Sequence, residues 1–262
     1  MSSVEELAED IEALLPLFPS TVKAELPDCV LVDNGFSYPA LCGAHRLRFD
    51  SEQVAERIEA VRDWFRDLGR EEFTWWVGPS ATPDDLEARL RASGAVPFAD
   101  EPVVTSMVLA EPPPEVEGVE VRRVGGIEDF AFAREIGWET AGFTEEQREA
   151  GRALLEERWE QRQARDDSAL YIAFVDGEPV ACGDVVFLPL CAFLSGAGTL
   201  PAARGRGAFR ALVRARWDEA VRRGTPTLLV GAGKMSRPIL ERVGFRTVAE
   251  SHVLVDRTGL SS

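Results

Sequence analysis

The chain is poor in lysine, tyrosine, histidine and cysteine, and each shortage closes off a class of function. Lys23 and Lys234 are its only lysines, so nearly all of its 29 basic residues are arginines. Against them stand 45 acidic residues, for a formal charge of −16. Such a field repels nucleic acid, and no polybasic patch is present to hold a membrane surface. Cys29, Cys42, Cys182 and Cys191 contain no C-x-x-C pair, and His45 and His252 are the only histidines beside them. Zinc-site spacing is therefore absent, and four scattered thiols in a long chain read as buried residues rather than a disulfide scaffold. No apolar run approaches the roughly 20 residues that span a bilayer. The opening Met1-Ser2-Ser3-Val4-Glu5-Glu6 is acidic where a signal peptide is basic. These absences lead to the expectation of a soluble, cytoplasmic protein with no metal and no nucleic-acid or membrane partner.

What is present is a large apolar fraction: 45% of 262 residues are hydrophobic, enough to bury the core of one large domain or two ordinary ones. The clearest seam is Pro112-Pro113-Pro114 and the residues up to Gly118, where three prolines forbid helix and central strand. The expected organisation is residues 1–111 as one domain, 112–118 as a stiff linker and 119–262 as a second domain. In the second, 119–124 alternates as a strand does, and helical spacing follows over 128–138 and 144–164. Asp176-Gly177 between two alternating apolar runs marks a hairpin, and Cys191 to Leu200 supplies another strand. A helix then opens at Gly207 with Phe209, Leu212, Val213, Trp217, Ala220 and Val221 as its apolar stripe, closed by Gly224. Strand 227–230, helix 234–243 and strand 248–255 complete the order, an α/β sandwich on a mixed sheet. The first domain holds an echo of this ending: helix 51–68, Gly69, strand 73–77, helix 83–92, Gly94 and strand 103–109. Its aromatic run Phe73, Trp75 and Trp76 either lines an acceptor pocket or packs as core, and the alternation favours core.

The chemistry is concentrated in Arg204-Gly205-Arg206-Gly207-Ala208-Phe209, which lies between a strand and an amphipathic helix. A helix start leaves unsatisfied N–H groups and a positive dipole end, which attract an anion. Gly205 and Gly207 let a phosphate approach the backbone, and Arg204 and Arg206 add formal charge. Two look-alikes fail on spacing. Gly231-Ala232-Gly233-Lys234-Met235-Ser236 has Met235 at the Ser/Thr position of a P-loop, and Arg210 stands where a dinucleotide fingerprint needs its third glycine. No paired glycines precede helix 51–68, so the first domain lacks an anion-binding turn.

This turn resembles motif A of the GNAT superfamily of acyl-CoA-dependent N-acyltransferases, read as Arg/Gln-x-x-Gly-x-Gly/Ala. Phe209 departs from the pattern where a small residue is usual. The ending Pro238 to Phe245, a short helix closed by Gly244-Phe245, resembles the family's last motif. The resemblance implies two GNAT-like α/β sandwich domains, each a mixed, mainly antiparallel sheet flanked by helices, with the first degenerate. It implies acetyl-CoA as acyl donor, its pantetheine arm on the backbone at Ala197, Thr199 and Leu200, its pyrophosphate on Arg204 to Phe209, and Ser236 as a further contact. It also implies direct attack of an amine, from an unidentified small molecule or peptide, on the thioester; a homodimer is one assembly open to such a chain. Many members place a tyrosine acid four residues before the helix-ending glycine, where this chain has Leu240; its tyrosines, Tyr38 and Tyr171, stand elsewhere. Candidate bases are Asp184, Ser195, Glu139 and His252, and Ser236 is a candidate donor to the leaving sulfur or a helix cap. Asp184 sits within an apolar strand, either buried with a raised pKa or facing solvent. The rival expectation is a non-catalytic acyl-CoA sensor or interaction module, which the missing tyrosine and Phe209 favour.

Overall fold

A computed structural model of the chain describes residues 4–11, 21–35 and 42–259. Its first elements are α1 (Val4–Glu9), β1 (Val22–Glu25), β2 (Val30–Asp33), β3 (Cys42–His45), α2 (Val54–Asp67), β4 (Glu72–Val77), α3 (Leu86–Ala92), β5 (Val96–Pro97) and β6 (Val103–Leu109). There follow β7 (Glu120–Arg123), α4 (Ile127–Thr140), α5 (Glu145–Ala153), α6 (Leu155–Gln163), β8 (Ser168–Val175), β9 (Glu178–Phe187) and β10 (Ala192–Thr199). After a 3-10 turn at Pro201–Ala203 come α7 (Ala208–Arg222), β11 (Leu228–Ala232), α8 (Arg237–Val243) and β12 (Arg246–Arg257). Tyr38, one of the two tyrosines, lies outside the described residues.

The chain forms two compact units that are not consecutive halves. The first takes the described residues up to Met107 together with Ala232–Pro238 and those from Thr247 on. The second takes Val108–Gly231 and Ile239–Arg246, so the proline-rich residues 112–118 lie inside it rather than between two domains. In the first unit the strands run β1-β2-β3-β4-β12-β6, with β5 also on β12. The β3–β4 pair is parallel, and β12 is antiparallel to β4 from His252↔Val77 to Arg257↔Glu72. A strand read as the last of the second domain thus belongs to the first unit. Alternating hydrophobicity tells which face a strand buries and not which neighbour it takes.

The first unit's core is built from α2, β4 and α3. Val54, Ile58, Val61 and Phe65 form one buried stripe on α2, and Leu86 and Leu90 do the same on α3. Phe65 stacks on Phe73 at 4.3 Å, and Phe73 and Trp75 are fully buried, so these aromatics are core. Trp76 points the other way and stacks on His45 at 5.4 Å.

In the second unit the sheet order is β11-β10-β9-β8-β7, antiparallel except for the parallel β10–β11 pair. Asp176 and Gly177 both take positive φ (54° and 85°), the two-residue turn whose twist matches its strands. Phe130, Ala133 and Ile136 of α4 pack on Leu170, Ile172, Phe174 and Cys182. Cys182 faces α4 and Gly183 faces α7, so these helices cover opposite faces of the sheet. The helical stretch expected over 144–164 is two helices, α5 and α6, which meet at Leu154 (φ −106°, ψ 9°). A capping box between Thr144 and Gln147 starts α5. Strand, helix, parallel strand recurs as β3-α2-β4 and β10-α7-β11.

Candidate functional site

The site grows from the way β10 ends. Its parallel register with β11 runs only from Ala192↔Leu228 to Leu194↔Val230, whereas β10 itself continues to Thr199. Past Leu194 it is held from the β9 side alone, and a bulge falls between Ser195↔Asp184 and Gly198↔Cys182. Gly196 and Ala197 are exposed there, while Gly198, Thr199 and Leu200 are half-buried. Of the three positions expected to offer backbone to a ligand, Leu200 is already engaged: its N–H donates to Val180 O and its carbonyl accepts from Ala203 N, each at 2.9 Å.

The chain next turns through Arg204 to Gly207 into α7. Gly205 and Gly207 both have left-handed φ, 80° and 90°, and Gly207 is the N-cap of the helix. A Cβ at Gly207 would lie 2.7 Å from a Val116 methyl, so that residue is fixed twice over, by its dihedral and by the proline-rich segment packed against it. At Gly205 a Cβ would meet open space. The amides of Arg204 and Arg206 reach carbonyls three residues back, at 3.3 and 3.4 Å. Among the described residues, those of Gly205, Gly207, Ala208, Phe209 and Arg210 have no protein acceptor. A concave turn with unpaired N–H groups at a helix start is an anion cradle.

The charges around it are unequally committed. Arg206 is held by Asp176 of the hairpin turn. Among the described residues Arg204 and Arg210 have no ion-pair partner, and Arg210's guanidinium lies 3.7 Å from where a Gly207 Cβ would be. In the sequence Arg210 stood out only as the residue that breaks a dinucleotide fingerprint; one helical turn brings it back over the cradle. Ala208 is buried and Phe209 half-buried.

The stripe of α7 differs from the expected one. Val221 is 47% exposed, and the buried face instead includes Arg216 and Glu219. Gly183 makes this possible, since a Cβ there would come within 2.9 Å of Arg216 Nη1. In that slot Arg216 donates to Leu212 O and Asp184 O, both at 3.0 Å, and burial pulls its pKa down to about 10. It remains a cation at neutral pH. Glu219 pairs with Arg223 at 2.7 Å and with Arg222.

Asp184 and Ser195 face one another across the β9–β10 ladder, so two of the sequence-derived catalytic candidates meet at the bulge. Asp184 is neither buried alone nor solvated. Its carboxylate lies 2.7 Å from Arg162 Nη2 and 3.7 Å from Arg134 Nη2, with its side chain 18% exposed. Ser236 belongs to the first unit, where its hydroxyl donates to Gly233 O at 3.2 Å in the turn before α8. His252 also lies in the first unit, its Nδ1 2.6 Å from Glu87 Oε2, beside a cavity of about 330 Å³ lined by Asp84, Glu87 and Glu250. Glu139 is exposed on α4. Leu240 is buried at 1% in α8, and Tyr171 is buried in β8, its pKa raised chiefly by that burial. None of the four cysteines is in a disulfide and all are buried, with thiol pKa values pushed up to about 11 or 12, so none is a ready nucleophile. Among the described residues no helix is long and apolar enough to cross a membrane.

Residues 130–245 match the family described as acetyltransferase (GNAT). No curated protein matches the chain. Among solved structures it is similar to a GCN5-related N-acetyltransferase from Kribbella flavida, at 17% identity and TM-score 0.71, over 98% of this chain and 96% of that one. It is also similar to a tandem GNAT protein from the clavulanic acid biosynthesis pathway, at 16% identity and TM-score 0.66, over 97% of this chain and 89% of that one. A GCN5-related N-acetyltransferase from Sphaerobacter thermophilus aligns at 16% identity and TM-score 0.61, over 90% and 82% of the two chains. Residues 130–245 thus match the acetyltransferase (GNAT) family, and the chain shares its fold with these solved structures.

Proposed function

We propose that the second unit binds acetyl-CoA and transfers its acetyl group to the amine of a small molecule or peptide by direct attack. The observation that carries this reading is the cradle at the start of α7: five amides and the flanking Arg204 and Arg210, without acceptor or ion-pair partner among the described residues, reached by a strand that has just parted from its neighbour. Those groups fit a pyrophosphate, and the exposed edge at Ala197 fits an extended amide-bearing arm. When bound, the cofactor supplies an activated acyl thioester. The amine nitrogen bonds to the acyl carbon as the C–S bond breaks; one ammonium proton goes to solvent and one ends on the thiol. In this proposal Asp184 and Ser195, paired across the ladder at the bulge, hold the attacking nitrogen and share in removing its proton.

A second reading, an acyl-CoA sensor without turnover, is favoured by buried Leu240 at the position of the family's tyrosine acid. One pair of measurements separates the two. Acetyl-CoA at about 100 times its Kd adds about 2.7 kcal/mol to stability, seen as a raised Tm. Arg204→Met combined with Arg210→Met, both at exposed positions, is expected to weaken binding roughly 10- to 100-fold. Thiol release on an amine panel then shows turnover under the first reading and none under the sensor. An unmoved Tm at millimolar acetyl-CoA sinks both.

A further inference from the structure

Around the bulge of β10 the second unit carries more buried positive charge than its own residues neutralise. Arg134 of α4 and Arg162 of α6 converge on Asp184 of β9, and the three side chains are 25%, 19% and 18% exposed. From the opposite face Arg216, fully buried, donates to the backbone oxygen of the same Asp184. Two guanidinium groups therefore share a single carboxylate, and the third, fully buried, is held by the backbone oxygens of Leu212 and Asp184. Cys182, which lies beside Arg134, does not make up the difference, because burial holds its thiol pKa at about 11 and leaves it neutral.

The hydrogen-bond inventory points the same way. Among the described residues Arg134 Nε is buried with no hydrogen-bond partner. Arg162 Nη2 is close enough to Asp184 for charge pairing but is not aligned to hydrogen-bond it. Half-buried charge without a counter-ion is costly, and unpaired guanidinium donors favour a planar, bidentate acceptor. The cluster also has a defined place. Asp184 Oδ2 lies 3.2 Å from where a Gly196 Cβ would be, so the arginines border the bulge itself, and Phe130 and Trp159, 5.5 Å apart, wall the α4–α6 side.

We propose that Arg134 and Arg162 bind the carboxylate of the acceptor, whose amine sits against Asp184 and Ser195 at the bulge; the acceptor class is therefore a small amino acid. This rests on the acetyl-transfer reading above and narrows it. A carboxylate about two bonds from its amine places the two groups on the arginines and on Asp184 respectively, and supplies the missing negative charge.

The test uses the full chain with acetyl-CoA and a matched panel of α-amino acids and their C-terminal amides. Thiol release gives kcat/KM, and calorimetric titration of the protein saturated with CoA gives binding whether or not turnover occurs. The expected result is a preference for acids over amides of roughly 10- to 100-fold. Arg134→Met and Arg162→Met should each erase that preference, Arg134→Lys should retain part of it, and in all three CoA should still raise the Tm as in the wild type. Amides accepted as well as acids, or no acid turned over or bound while CoA stabilises the protein, would overturn the inference and leave the cofactor reading intact. If CoA leaves the Tm unmoved, the acetyl-transfer reading fails, and titration of the free protein with the same acids decides the arginine site separately.

Discussion

His45 shows how one buried side chain imposes a pH dependence on a whole unit. It is 4% exposed, stacked on Trp76, and burial pushes its pKa down to about 3 from an ordinary 6.5. Above pH 6.5 the ring is neutral in both folded and unfolded states and contributes no pH dependence. Below that, the unfolded chain takes up a proton that the folded chain refuses, so stability falls by about 1.4 kcal/mol per pH unit as the pH drops toward 3. Urea titrations of His45→Phe between pH 6 and 4 should show a slope shallower by that amount, and a slope equal to wild type would refute the assignment. At this scale the sequence was a partial guide. Gly205, Gly207 and Arg204 were legible because strand, paired glycines and amphipathic helix lie next to one another in the chain. Arg216 was not: helical spacing sets it on the apolar stripe, opposite Arg214, but an arginine reads as exposed, and the slot that buries it is made by Gly183 on another strand. Asp184 was visible as a carboxylate in an apolar run, but its partners Arg134 and Arg162 come from two helices whose approach only the fold decides.

Among the elements, β12 is the most informative. It is pinned by Asp256, whose carboxylate is 3% exposed and accepts from Trp75 Nε1 at 2.9 Å and from Arg62 Nε and Nη2 at 3.1 and 3.0 Å. These bonds tie β12 to β4 and α2 at once. Asp256→Ala leaves Arg62 without its buried partner and the indole N–H unpaired, so a loss of about 3–5 kcal/mol is expected in denaturant unfolding. A change below about 1 kcal/mol would mean that the ladder with β4 alone holds the strand. The strand's existence was plain from alternation at 248–255, and α7 and the Asp-Gly hairpin were equally plain. The divergence of β10 from β11 was not, because each reads as an ordinary strand; the register, ending at Leu194↔Val230, carries it.

At the level of the molecule, the main division falls between Met107 and Val108, a few residues before the three prolines. Prolines report local backbone stiffness, and residues 112–118 are stiff because they pack along the start of α7: Pro113 O accepts from Arg214 at 2.9 Å and Val116 meets Gly207. A fragment of residues 1–111 therefore lacks a central strand of its own unit. It is expected to show no cooperative melt, and fusion of residues 246–259 through a flexible linker should restore one. A cooperative melt of the unfused fragment would show that β4 and β6 close up without β12. Because β12 is encoded after every other strand described here, the unit translated first is the one completed last. Its sheet stays open at β4 while the whole second unit is being made, which exposes a long unpaired edge to any factor that attends nascent chains.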